Sequence, residues 1–128
     1  DSRRVSLRAH FPPQLPAVRA DLGLIERAIS NLLDNALRYT PEGGQIEIIL
    51  TSEGSEVRVM VADTGPGIAP DLRGTLFQRP FVVGGARREG GLGLRIVHRI
   101  LELHARRIEL VDLAGRGASF RFGLPVAD

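Results

Sequence analysis

The sequence predicts an α+β fold, a two-layer α/β sandwich whose mixed, mostly antiparallel sheet is covered on one face by helices. Three observations predict it. From Leu22 to Tyr39, apolar residues recur at the three-and-four spacing of a helix with one buried face. Two runs that follow, Gln45 to Leu50 and Glu56 to Val61, alternate with the period of a strand. A second helical pattern, from about Leu92 to His104, precedes two more alternating runs. Hairpin-like strands with helices grouped between them place the helices on one side of one sheet.

Taken in order, Val5-Ser6-Leu7 reads as a short strand, Phe11 to Pro16 as a proline-rich connection, and Val18 to Ala20 as a brief second strand. Asp21 is placed to cap the long helix, and Pro41 with Gly43-Gly44 ends it. Its buried face is Ile25, Ala28, Ile29, Leu32, Leu33, Ala36 and Leu37. In the hairpin, Ile46, Ile48 and Leu50 share one face, Val57, Val59 and Val61 share another, and Glu53-Gly54 turns between them. Near the end, Ile108 and Leu110 alternate, Gly115-Arg116-Gly117 intervenes, and Ala118, Phe120, Phe122 and Leu124 alternate again.

The 128 residues suffice for one domain with a real core, and 43% hydrophobic with 25% charged residues is ordinary globular composition. The absence of cysteine excludes a disulfide frame and thiolate chemistry. All 17 basic residues are arginine. Their high pKa lifts the pI to 10.3 at a net charge of only +2, so the pI is weak support for a nucleic-acid partner. With one Tyr and no Trp, there is no aromatic platform for bases either. No apolar run is long enough to span a membrane.

Three stretches carry chemistry. On the long helix, at roughly 100° per residue, Asn31, Asn35 and Arg38 fall within about 60° of one another. Asparagine is a poor helix former, so a pair in mid-helix has a local purpose or lies on a solvated face. A carboxamide oxygen can ligate a hard cation, and a guanidinium can neutralise phosphate. Next, Asp63-Thr64-Gly65-Pro66-Gly67-Ile68 follows the valine strand. A carboxylate at a strand end can accept from an exocyclic amine, while glycines let the backbone lie close to a flat ligand. Its plain reading is a strand-ending turn. Last, Gly90-Gly91-Leu92-Gly93-Leu94 leads into a helix, where unpaired amides and the positive dipole end suit a polyphosphate. Its plain reading is a glycine hinge, and it lacks the Lys-Ser/Thr of a Walker loop.

In this order and spacing, the three stretches resemble the catalytic, ATP-binding domain of bacterial sensor histidine kinases, in the superfamily that also holds gyrase B and Hsp90. Asn31-Leu32-Leu33-Asp34-Asn35-Ala36-Leu37-Arg38-Tyr39-Thr40 is similar to the family's N box, and Asp63 to Ile68 to its first glycine box. Leu76-Phe77 is similar to its phenylalanine box, Gly91 to Leu94 to its second glycine box, and Gly117 to Pro125 to its final strand. The resemblance covers about Val5 to Pro125. It implies the Bergerat ATP-binding fold as one domain over residues 1–128, with ATP and Mg²⁺ bound. Asn35 would ligate Mg²⁺ with Asn31 beside it, Arg38 would meet the phosphates, and Tyr39 would pack near the sugar or phosphates. Asp63 would bind the adenine amine, with Ser119 supporting a bridging water. Gly65, Gly67, Ile68 and Phe77 would belong to the same nucleotide site. Residues from about 66 to 90 would form a lid, with Gly91, Leu92, Gly93 and Leu94 closing on the phosphates.

The resemblance also separates kinase from ATPase. Gyrase-like relatives carry a water-activating glutamate where Asn31 stands, and an amide cannot be that general base. The γ-phosphoryl group would then pass to a histidine on a separate helical dimerisation domain, and onward to a response regulator. His10 lacks the acidic neighbour and helical setting of a phosphoacceptor, and His98 and His104 read as structural or surface residues. Asn31, Asn35 and Arg38 are the expected catalytic residues. Glu89, Gly90 and a stretched phenylalanine box around Phe77-Gln78-Arg79-Pro80-Phe81 depart from the family pattern. Two alternatives stay open: a degenerate nucleotide-binding scaffold, and an anti-sigma-factor-type serine kinase of the same fold. The expected setting is a monomeric cytoplasmic domain of a parent in the bacterial inner membrane.

Overall fold

A computed structural model describes residues 4–65, 91–111 and 117–127. Its elements run β1 (Ser6–His10), α1 (Leu22–Tyr39), β2 (Gln45–Glu53), β3 (Glu56–Asp63), α2 (Gly91–Leu103), β4 (Glu109–Val111) and β5 (Ser119–Pro125). Five strands form one sheet in the order β1-β2-β3-β5-β4. β1 runs parallel to β2 and the other neighbours are antiparallel, which makes the sheet mixed, as expected. Both helices lie against one face.

The long helix has the predicted limits because local chemistry sets both. The Asp21 carboxylate accepts from the Leu24 N–H at 3.0 Å, satisfying one of the helix's unpaired first-turn donors. At the other end, the Gly44 N–H donates to the Pro41 carbonyl across a turn whose third residue, Gly43, has φ of 81°. That value is characteristic of the third position of a type II turn, which favours glycine. The hairpin closes on Gly54-Ser55, with Glu53 opposite Glu56 and φ of 59° at Gly54.

Ile25, Ala28, Leu32 and Ala36 of α1 meet Leu94, Val97, Ile100 and Leu101 of α2 over Ile46, Val59, Val61, Phe120, Phe122 and Leu124 of the sheet. His104 ties the two helices at the end remote from the motifs. One ring nitrogen accepts from the Asp21 N–H at 3.1 Å and the other pairs with the Ile100 carbonyl at 2.8 Å. Only the tautomer with hydrogen on Nδ1 satisfies both contacts.

Three expectations change. The first strand lies at Ser6–His10 rather than Val5–Leu7 and is exposed throughout, with Leu7 61% accessible, because β1 is an edge strand that the helices do not reach. The strand expected at Val18–Ala20 is a single bridge from Val18 to Val126. Leu37, assigned to the buried face of α1, is 39% exposed, whereas Asn35 is buried in its place. Among the described residues, no helix is long and apolar enough to cross a membrane.

Candidate functional site

β3 carries Val57, Val59 and Val61 on its helix-facing side, so alternation puts Asp63 on that side as the strand ends. Asp63 is only 6% exposed. Its Oδ1 accepts from the Gly65 N–H at 2.9 Å and from the Ala118 N–H at 3.4 Å, and its own N–H donates to the Ala118 carbonyl at 2.9 Å. The carboxylate is thus held from its own loop and from the start of β5. Two glycines make that approach possible. A Cβ on Gly65 would stand 2.3 Å from the Tyr39 carbonyl oxygen, and one on Gly117, at φ of 53°, would stand 1.8 Å from the Asp63 carbonyl oxygen. No side chain fits at either position, so the Asp63 turn rests directly on the end of α1.

Along α1, the polar stripe passes from the interior to solvent. Asn35 lies in the buried face, Asn31 and Tyr39 are half-buried, and Arg38 is exposed in the last turn. Nδ2 of Asn31 is buried with no hydrogen-bond partner among the described residues. Gly93, in the first turn of α2, is its neighbour, since a Cβ there would come within 3.8 Å of the Asn31 Cβ. The glycines expected to precede α2 instead form its first turn, with Gly91 as the first helical residue. Leu94 is fully buried in the core, so it anchors this turn through packing. The Asn31 side chain thus stands beside the first turn of α2, and an amide donor and a helix N-terminus both favour an anion.

Ser119 is also buried, and its hydroxyl has no partner among the described residues. It sits opposite Ala62 in the sheet, one residue past the backbone group that reaches Asp63. Gly67, Ile68, Phe77, the lid at 66–90 with Glu89, and the Leu92 side chain lie outside the described residues. The structure thus gathers Asn31, Asn35, Asp63, Gly65 and Gly93 at one edge of the helix–sheet interface. The sequence reading missed the Ala118 N–H and the close contact of Gly117, because β5 pairing with β3 has no local signature. A glycine just before an alternating run was the one visible hint.

A two-layer sandwich with a buried strand-end carboxylate, a carboxamide-bearing helix and a glycine-opened helix N-terminus defines a nucleotide-binding domain of the Bergerat class. Residues 20–128 match the model of the histidine kinase-, DNA gyrase B- and HSP90-like ATPases. The chain belongs to that family, and within it to the protein histidine kinase catalytic domains. It is 42% identical to the alginate biosynthesis sensor protein KinB of Pseudomonas aeruginosa over 98% of its own length and 21% of that protein. Among solved structures it resembles the catalytic domain of the histidine kinase ThkA, with 29% identity and a TM-score of 0.81 over 95% of this chain and 78% of that one. The mycobacterial sensor histidine kinase MprB is similar at 31% identity and a TM-score of 0.76, over 95% and 84%. The chain spans about a seventh to a third of the length of the curated relatives it matches.

Proposed function

We propose that this domain binds Mg-ATP and passes the γ-phosphoryl group to a histidine on a separate dimerisation domain of a sensor kinase, which then supplies a response regulator. The observation that carries the reading is the buried Asn31 amide, without a partner among the described residues, beside the first turn of α2. Stripping a donor of its partner costs about 1–3 kcal/mol, a cost that a phosphate oxygen accepting from it would offset. Asp63 lies on the helix-facing side at the strand end, already oriented by two N–H donors, and is suited to the adenine amine. Gly65 gives the ring a flat approach, and Tyr39 borders the sugar.

Asn35 fits a hard cation through its carboxamide oxygen, and Arg38 lies one turn further along to meet phosphate. Asn35 would hold Mg²⁺ as its protein ligand, and the ion would supply charge neutralisation for the phosphates. Asn31 has no carboxylate with which to activate water, so the site favours transfer over hydrolysis. Ser119 would support a bridging water through its buried hydroxyl. Gly67, Ile68 and Phe77 would complete the pocket, and residues 66–90 the lid, of a single ATP-binding domain. Placement on the cytoplasmic side of an inner-membrane parent follows from the same reading. One solved complex supports the partner assignment: ThkA is seen bound to the response regulator protein TrrA.

Titration calorimetry with ADP and Mg²⁺ tests the pocket. The chain should bind, and Asp63→Asn, which loses a charge-assisted contact of about 2 kcal/mol, should weaken binding by at least about tenfold. Phosphate transfer from ATP to an added histidine-bearing helical hairpin tests the reaction. Binding without transfer would favour the scaffold alternative.

A further inference from the structure

We propose that Gly44, outside all three chemical motifs, is a positioning residue that sets the spacing between the N-box helix and the Asp63 turn. This inference rests on the nucleotide-site reading above. The end of α1 is gripped from two sides. On one, Gly65 lies so near the Tyr39 carbonyl that a Cβ there would stand 2.3 Å from its oxygen. On the other, a Cβ on Gly44 would stand 2.4 Å from Cγ2 of Thr40, 2.8 Å from Oγ1 of Thr64 and 3.0 Å from the Pro41 carbonyl oxygen. Thr40 and Thr64 therefore converge on the space that Gly44 leaves open.

Neither threonine is loosely held. Thr40 is 0% exposed, and both its hydroxyl and its N–H donate to the Ala36 carbonyl, at 2.7 and 3.0 Å. The Thr64 hydroxyl accepts from the Gln45 N–H at 2.9 Å, and the Thr64 N–H donates to the Gln45 carbonyl at 3.1 Å. Gly44 itself is fixed from behind, since its carbonyl accepts from the Ser6 N–H at 3.1 Å. A side chain there cannot retreat toward β1. It must push Thr40, Thr64 or both, and these flank the residues that hold Asp63 and end the phosphate-facing helix. Misplacement of a binding group by a fraction of an ångström to an ångström is costly at such a site.

The test is calorimetric titration of ADP and Mg²⁺ into the parent chain, Gly44→Ala, Thr40→Ser and the Thr40→Ser/Gly44→Ala double variant, well below each melting temperature. Gly44→Ala should lose at least about tenfold in affinity. Thr40→Ser keeps the hydroxyl bond to Ala36 but removes the methyl group that a new Cβ would strike. Alone it should bind like the parent, and in the double variant it should recover several-fold of the loss. Should Gly44→Ala fail to fold, Thr64→Val and Thr64→Ser decide: valine, which cannot accept from Gln45, should weaken ADP severalfold, while serine should not. A folded Gly44→Ala that binds ADP like the parent overturns the proposal, as does equal binding by the two Thr64 variants. A parent chain that binds no ADP would instead overturn the nucleotide-site reading.

Discussion

The site edge and the outer face of the sheet treat polar groups in opposite ways. At the site edge, Asp63, Asn35 and Ser119 are buried, and two polar atoms, on Asn31 and Ser119, have no partner among the described residues. On the outer face and its rim, charges are accessible and paired. Glu56 accepts from Arg58 at 2.9 Å and Arg106 at 3.0 Å, Arg58 also meets Glu53 at 2.7 Å, and Arg121 meets Glu109 at 3.3 Å. The Arg58 hydrogen bond is the chief cause that holds the Glu56 carboxyl below the usual carboxylate range, outweighing partial burial, with Arg106 adding to it. Buried, unpaired polar atoms reduce stability and are retained where a ligand can complete them. Accessible ion pairs are complete already and add little.

The largest effect should come from the crowded end of the site. Gly117→Ala forces a Cβ against the Asp63 carbonyl at a left-handed φ, and urea denaturation should show a loss of about 3 kcal/mol or more. Next, Ser119→Ala removes a buried hydroxyl that has no partner among the described residues. The ligand-free chain should gain about 1 kcal/mol, while ADP binding weakens, though less than in Asp63→Asn. Equal affinity with higher stability would make Ser119 a packing residue and narrow the site to the Asp63 side.

At the rim, strain can be tested by itself. α2 ends in a Schellman motif, with the Arg106 N–H on the Leu101 carbonyl and Ala105 at φ of 56°. Ala105→Gly should raise stability by about 1 kcal/mol without changing ADP affinity. Glu56→Gln should have the smallest effect, at most about 1 kcal/mol. Because the folded carboxyl is lowered from its ordinary 4.5, its contribution is present above that value and is lost as pH falls through the lowered one. The difference between parent and variant in thermal melts should therefore be seen at neutral pH and shrink under acid. A difference that grew in acid would break the comparison.

Much of this was legible locally. Asp21, the apolar spacing and Pro41-Glu42-Gly43-Gly44 fixed the limits of α1, because caps and turns act over a few residues. Alternation through Val57, Val59 and Val61 identified the buried face of β3, and the three motifs pointed to the family. Tertiary structure alone decided the rest. β1 pairs parallel with β2, and β5 inserts between β3 and β4, since strand order depends on distant partners rather than on period. Asn35 is buried and Leu37 exposed because α2 and the sheet, not the helix's own pattern, determine where the covered stripe ends. Residue type and spacing alone were enough to read the motifs that resemble the family. How close they stand was decided by Gly44, Gly65 and Gly117, whose missing side chains matter only once the chain has brought α1, β3 and β5 together.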